Sequence, residues 1–355
     1  MAPMHWDLFC RVIDNLGDIG VCWRLAADLG ARDQRVRLWI DDPSALTWMA
    51  PTGAPGVEVR PWTADAPMAE PGDVVVEAFG CDPPPAFVAC MARSERPPLW
   101  INLEYLSAEA YVRRSHGLRS PQLGGPGLGL NKWFFYPGFE PGTGGLIREP
   151  GLIDERLHFD ARAWLREHGM APRPGERVTS LFCYASAPVA ALLQALAAAP
   201  TLLLVTPGAA NQALQAALAH QPAPSALRCI ALPWLAQPDY DRLLWACDLN
   251  FVRGEDSFVR AQWAGAPFIW QIYPQHDAAH AAKLDAFLGL MLADAKGGLD
   301  QAVRSLWRVW NGLQDGPLAL PPAEPWQVQM LRWRERLLAQ TDLGTQLLGF
   351  AAEKR

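Results

Sequence analysis

The chain has 355 residues, of which 50% are hydrophobic and 19% charged, and its formal net charge is −6. That length and apolar content suffice for two ordered domains. Acidic and basic residues are interspersed without a basic stripe, which argues against a general nucleic-acid binder, and no apolar run reaches the length of a membrane-spanning helix.

The first half alternates strands with helical stretches. "WDLFCRV" (6–12) reads as a buried strand, and "IGVCWRLAADLGA" (19–31) places Ile19, Cys22, Trp23, Ala26 and Leu29 at helical spacing. "VRLWI" (36–40), "DVVVEAF" (73–79) and "LWINLEY" (99–105) read as further strands, apolar on both faces as in a parallel sheet covered by helices. A Gly/Pro-rich, aromatic passage (119–151) follows. It is too long for a linker and reads as an ordered, functional loop. "APRPGER" (171–177) is the expected hinge.

From residue 178 the alternation restarts. Strands are expected at "VTSLFCYAS", "TLLLVTP", "ALRCIALPWL", "CDLNFVR" and "PFIWQIYP", and helices at "PVAALLQALAAA", "YDRLLWA" and "SFVRAQWAG". The fold class is therefore α/β, with one Rossmann-like domain over 1–170, a second over 171–325 and a helical segment over 326–355. In that last segment Trp326, Met330, Trp333 and Leu337 share one face, for packing along the body. Two such domains are expected to face each other across a cleft at the carboxyl ends of their sheets, where open α/β sheets bind ligands.

Candidate chemistry sits at those strand ends. In "NFVRGEDSFVRAQWAG" (250–265) a strand gives way to a helix, with Ser257 as the expected N-cap and Asp256 just before it. Arg253 and the free N–H groups of the helix start suit a diphosphate; the alternative is a capped helix with a surface Arg–Asp pair. Phe182, Tyr184, Trp234, Tyr240 and Tyr273, with Gln237 nearby, gather at neighbouring strand ends. As a group they suit a flat base and a sugar, although each alone is ordinary core.

In the first half, Asp18 stands where a helix-start aspartate complements the dipole, and Asp14 where an Asx residue caps a turn. As a pair, with Glu255 on the opposite wall, they read as an acidic site for a cation. Metal is the alternative, since carboxylates suit Mg²⁺ or Ca²⁺, but Arg253 beside Glu255 already supplies positive charge for a phosphate. The seven histidines form no HxH or HExxH pattern, and His276 and His280, spaced i,i+4, have no carboxylate or thiol set beside them; no metal is expected. Seven cysteines without a CxxC pair read as buried, reduced thiols, and the absence of a signal-like N-terminal pattern leads to a cytoplasmic expectation.

The blocks "DNLGDIGVCWRLAADL", "INLEYLSAE", "FFYPGFEPGTGGLIRE", "LFCY" and "RGEDSFVRAQWAGAPFIWQIYPQ" resemble, in order, the EarP family of bacterial protein-arginine rhamnosyltransferases, which modify translation elongation factor P. The resemblance implies a GT-B fold, dTDP-β-L-rhamnose as donor, elongation factor P as protein partner, and transfer to a guanidinium nitrogen of one arginine with inversion. It implies no metal or other cofactor. It carries nucleotide-sugar contacts onto Phe182, Tyr184, Trp234, Gln237, Tyr240, Arg253, Asp256, Ser257 and Tyr273. At 234 and 240 the family pattern is commonly phenylalanine; Trp and Tyr keep an aromatic face there. A cationic acceptor gives the three carboxylates roles, Asp18 as the base and Asp14 and Glu255 as orienting groups. Two other readings fit the same residues: a GT-B enzyme with a non-protein acceptor, and a non-catalytic sugar-nucleotide-binding module.

Overall fold

The computed structural model describes residues 3–14, 16–63, 69–220, 222–274 and 279–354. The chain forms two compact units, Met1–Pro150 together with Leu337–Arg355, and Gly151–Arg336.

The first unit contains β1 (His5–Cys10), α1 (Gly17–Ala31), β2 (Arg35–Ile40), α2 (Leu46–Met49), β3 (Val57–Pro61), β4 (Val74–Ala78), α3 (Pro85–Arg93), β5 (Leu99–Leu103), α4 (Ala110–Ser115), β6 (Arg119–Pro121) and β7 (Asn131–Phe135). Its sheet has the order β3-β2-β1-β4-β5-β7-β6, parallel except for the β6–β7 pair. The passage 119–151 is thus partly sheet edge. β3 is hard to read from sequence, because "VEVRP" alternates over only two valines, carries two charges and is mostly exposed.

Both faces of this sheet are covered. Trp6, Leu8, Ile19, Cys22 and Leu25 pack on one side, and Phe9, Trp39, Trp62, Phe87 and Trp100 on the other. Burial of one such aromatic side chain stabilises the fold by about 2 kcal/mol. Two carboxylates inside the strands are structural. Asp7 accepts from Trp39 Nε1 (2.8 Å), Arg37 (2.7 Å) and the Gly72 N–H (2.7 Å). Glu77 accepts from Lys132 Nζ (2.6 Å) and Trp100 Nε1 (3.0 Å).

The second unit contains α5 (Leu152–His158), α6 (Ala161–Glu167), β8 (Arg177–Leu181), α7 (Val189–Leu196), β9 (Thr201–Val205), α8 (Ala209–His220), β10 (Leu227–Ala231), α9 (Gln237–Ala246), β11 (Leu249–Arg253), α10 (Gly254–Ala264), β12 (Phe268–Gln271), α11 (Ala279–Met291) and α12 (Leu299–Trp310). Its sheet is parallel, in the order β10-β9-β8-β11-β12. α8 was not anticipated: its Ala/Gln-rich sequence buries only Ala210 and Leu214, too little for a periodic signal.

The division between the units falls at Pro150, earlier than the expected 170. Trp164 and Leu165 of α6 and Met170 join Val178, Leu202, Leu204 and Leu243 in the core of the second unit. The expected hinge at 171–177 is tied down within that unit, since Arg228 donates to Ala171 O (2.9 Å) and Glu176 Oε2 (2.7 Å). The C-terminal segment is also divided. α13 (Ala323–Leu338) lies mostly in the second unit, where Trp326, Met330 and Trp333 are buried and Trp333 Nε1 donates to Gln262 Oε1 (2.9 Å). α14 (Leu343–Lys354) returns to the first unit, where Arg32, just after α1, donates to Asp28 (2.9 Å) and Asp342 (2.8 Å).

The helices that present the second unit's candidate residues, α9 and α10, are joined by a buried fork. Arg260 Nε donates to Asp241 Oδ1 (2.9 Å) and Arg260 Nη2 to Asp241 Oδ2 (2.7 Å), with both side chains nearly inaccessible. Removing one partner strands a buried charge, which costs about 3–5 kcal/mol. Asp241→Ala is therefore expected to lower unfolding free energy by about that amount in a urea titration; a loss below about 1 kcal/mol would show that the fork does not hold the helices. Among the described residues no helix is long and apolar enough to cross a membrane, and all seven cysteines are free thiols.

Candidate active site

In the first unit the strand order reverses between β1 and β4, the position at which open α/β sheets bind ligands. Segments leaving β1, β4 and β5 at their carboxyl ends carry Asp14, Phe79 and Tyr105. After β1 the chain turns on polar contacts: the Val12 N–H donates to Asp41 Oδ1 (2.9 Å), and the Ile13 and Asp14 N–H groups both donate to Asp18 Oδ2 (2.9 Å each). Gly17 opens α1 with its N–H on Asp14 O (2.6 Å). A Cβ at this position would lie 2.7 Å from Asp14 Oδ2, so a larger residue would displace the Asp14 carboxylate.

Asp18 is the second residue of α1, but its carboxylate does more than complement a dipole, because it holds the preceding turn closed. Only 3% of its surface is exposed. Burial raises its pKa above the ordinary carboxylate value, and the nearby Asp14 charge adds to this. The two backbone N–H groups offset part of the rise. A carboxylate has about four acceptor positions, so the two backbone donors, both on Oδ2, leave it acceptor capacity. Asp14 itself is half-buried.

Tyr105 was not singled out by its chemistry in the sequence, where only its place in "INLEYLSAE" marked it. Its ring stacks on Phe79 at 4.2 Å with 12° between planes. Phe79 has φ +58°, a left-handed conformation that costs a bulky residue on the order of 1–3 kcal/mol. Neighbouring groups impose it: the Phe79 N–H donates to Leu103 O (2.7 Å) and the Gly80 N–H to Asn102 Oδ1 (3.2 Å).

In the second unit the order reverses between β8 and β11. Phe182 and Tyr184 follow β8, and Arg253 ends β11. The Arg253 guanidinium lies over both rings, 4.7 Å from Phe182 and 4.4 Å from Tyr184. Phe182 meets Tyr240 edge-on (5.8 Å), and Tyr184 meets Tyr273 edge-on (5.6 Å). Gln271 fixes the loop after β8 by accepting from the Tyr184 N–H (2.7 Å) and donating to Ser186 (3.3 Å). Gln237 Nε2 donates to Asp256 Oδ2 (3.3 Å). Trp234 and Tyr273 remain 47% and 45% exposed, which leaves aromatic surface for a planar ligand; the Trp234 ring packs over Gly208 at the end of β9.

The helix start differs from the expectation. Ser257 is not the N-cap of α10: Arg253 occupies that position, and Gly254, at φ +65°, turns the chain directly from strand into helix. Ser257 instead reaches back one turn, accepting from the Arg253 N–H (3.1 Å) and donating to Arg253 O, which fixes the residue that carries the guanidinium. The Tyr240 hydroxyl is buried beside Ser257, without a hydrogen bond of ordinary geometry, and its pKa is raised by that burial. Glu255 and Asp256 lie in the first turn of α10, both half-buried. Among the described residues no three His, Cys, Asp or Glu side chains gather as a metal-binding group; His276 lies outside the described residues.

Residues 6–352 match the profile of a family described as Elongation-Factor P (EF-P) rhamnosyltransferase EarP. A protein-arginine rhamnosyltransferase of Pseudomonas aeruginosa is 44% identical over 98% of this chain and 99% of its own length. A solved EarP structure, which concerns arginine glycosylation of translation elongation factor EF-P, is similar over 99% of this chain and 100% of its own, with 32% identity and a TM-score of 0.70. The calicheamicin glycosyltransferase CalG4, at 15% identity, shares the fold alone (TM-score 0.55, over 99% of this chain and 98% of its own). The architecture is that of the GT-B glycosyltransferases.

Proposed function

We propose, on the premise that this chain belongs to the EarP family of elongation factor P rhamnosyltransferases, that it moves L-rhamnose from dTDP-β-L-rhamnose to a guanidinium nitrogen of one arginine of elongation factor P. The observation that carries the reading is the Asp18 carboxylate: enclosed, raised in pKa and with acceptor capacity left over. A guanidinium is always charged and its lone pairs are delocalised, so it is a poor nucleophile until a carboxylate orients it and takes its proton. Asp18 fills the base role, and Asp14 beside it holds the acceptor by a charge-assisted hydrogen bond.

In the reaction the guanidinium nitrogen attacks the anomeric carbon from the face opposite the diphosphate, with inversion. The N–C bond forms as the C–O bond to the diphosphate breaks. The bonding pair leaves with dTDP, and the nitrogen's proton passes to Asp18. Arg253, held over Phe182 and Tyr184, neutralises the departing diphosphate together with the N–H groups that open α10. The aromatic group takes the base. Gln237 and Asp256 accept from or donate to sugar hydroxyls, a carboxylate being suited to accept from them. With Arg253 as the diphosphate's countercharge the reaction requires no metal, and an acceptor that is a translation factor places it in the cytoplasm.

Release of dTDP from dTDP-rhamnose is expected only when elongation factor P is present, and at the same rate with and without EDTA. Loss of release under EDTA would contradict the metal-independent mechanism. Equal release without the protein acceptor would favour a small-molecule acceptor.

A further inference from the structure

We propose that the outer edge of the first unit's sheet, formed by α4, β6 and the hairpin loop between β6 and β7, is a docking surface for the protein acceptor, which meets it with an acidic, partly apolar face. The inference rests on the reading of the substrate as a protein and extends it beyond the modified arginine. From residue 110 to residue 139 the sequence contains no aspartate or glutamate, in a chain of net charge −6. Arg113 and Arg114 on α4 and Arg119 on β6 are exposed, and among the described residues none of the three forms an ion pair. Lys132 on the neighbouring β7 is by contrast held by Glu77 (2.6 Å). Leu118 is exposed beside Arg119, and the hairpin loop adds Leu123 and Leu128, 89% and 65% exposed.

The loop that presents these leucines is built rather than slack. The Gln122 N–H donates to Leu130 O (2.9 Å) and the Gly129 N–H to Gln122 O (3.0 Å). Gly127 is buried against α3 and β5, where a Cβ would lie 3.1 Å from Val88 and 3.3 Å from Trp100. A fixed loop that holds two leucines in water marks a contact surface. β6 spans three residues and carries Arg119 and Pro121, which blunt an edge against strand addition, so side chains rather than backbone recognise the partner. A nucleic acid would use the arginines through its phosphates but leave Leu123 and Leu128 in water. A folded protein with an apolar centre and an acidic rim uses both. The edge also continues from the candidate site. The sheet order runs β1-β4-β5-β7-β6, and α4 lies at the carboxyl end, where Tyr111 meets Tyr136, just after β7, edge-on at 5.7 Å. The surface thus begins at the end of the sheet that carries Asp14 and Asp18 and runs along β6 away from it. The acceptor it fits is cationic at the inserted arginine and acidic along the adjoining face.

The test is the steady-state kinetics of rhamnose transfer to elongation factor P at varied NaCl. The triple variant Arg113→Glu, Arg114→Glu, Arg119→Glu is expected to raise the acceptor KM by about tenfold or more, with donor KM unchanged. Salt screens attraction in the wild type and repulsion in the variant, so the acceptor KM should rise with NaCl in the first and fall in the second. The double variant Leu123→Ser, Leu128→Ser changes only exposed positions and so should fold. It is expected to raise the acceptor KM severalfold and to keep the wild-type salt dependence. An acceptor KM unmoved in both variants, with wild-type transfer intact, would overturn the docking surface and leave the proposed function standing. If the leucine variant, with KM unmoved, instead loses binding to phosphatidylglycerol vesicles, the edge is a lipid contact and the proposal fails. No transfer to elongation factor P by the wild type would overturn the proposed function, and this inference with it.

Discussion

Asp18→Asn is expected to lower rhamnose transfer by roughly 10³-fold while changing dTDP-rhamnose affinity by less than about twofold, the former being the range of general-base catalysis. Asparagine matches aspartate in size and keeps an oxygen to accept from the Ile13 and Asp14 N–H groups, so the turn into α1 should survive. What it cannot do is take a proton. The donor side should be indifferent, because every residue assigned to the nucleotide sugar belongs to the second unit. Single-turnover kinetics with isothermal titration of the donor separate the two effects. Lost donor binding would contradict the assignment. A near-normal rate, with Asp14→Asn inactive instead, would transfer the base role to Asp14, whose carboxylate is the more open of the two.

Arg253→Ala should act on the opposite partner. A charge-assisted contact to phosphate is worth about 1.5–3 kcal/mol, which corresponds to a loss of dTDP affinity of about 10- to 150-fold. Arg253→Lys keeps the charge but not the planar fork or the fit between two rings, and is expected to fall between wild type and Ala. The backbone of residue 253 should stay in place in both variants, since Ser257 bonds its N–H and carbonyl rather than its side chain. Unchanged dTDP affinity in Arg253→Ala would remove this residue from the diphosphate site.

Much of the architecture was legible in the sequence because parallel strands covered on both faces read as uninterrupted apolar runs, as in "DVVVEAF" and "TLLLVTP". Features set by tertiary contact were not. Nothing local in α6 says that Trp164 and Leu165 join the core of the following sheet rather than the preceding one, so the boundary was expected too late. Ser257 looked like a cap because Ser followed by an apolar helical run usually is one. Gly254, free to take φ +65°, starts the helix three residues earlier and turns Ser257 into a brace for Arg253.

The candidate site shows the same division. Asp14 and Asp18 stood out as carboxylates at a Gly-broken strand-to-helix turn, and the aromatic group stood out by its position at strand ends. That Asp18 would be nearly enclosed, and that Tyr105 would stack on the left-handed Phe79 at the neighbouring strand end, depends on sheet order and lies beyond any spacing rule. The left-handed Phe79 was equally silent, since a phenylalanine gives no sign that it will adopt a conformation that favours glycine.

Transfer of a single sugar to the protein acceptor tests the proposed function most directly. Purified elongation factor P, incubated with this protein and dTDP-rhamnose, should gain one deoxyhexose by intact mass, and fragmentation of the product should place it on the side-chain nitrogen of a single arginine. No added mass, or a sugar carried on any residue other than arginine, would contradict it.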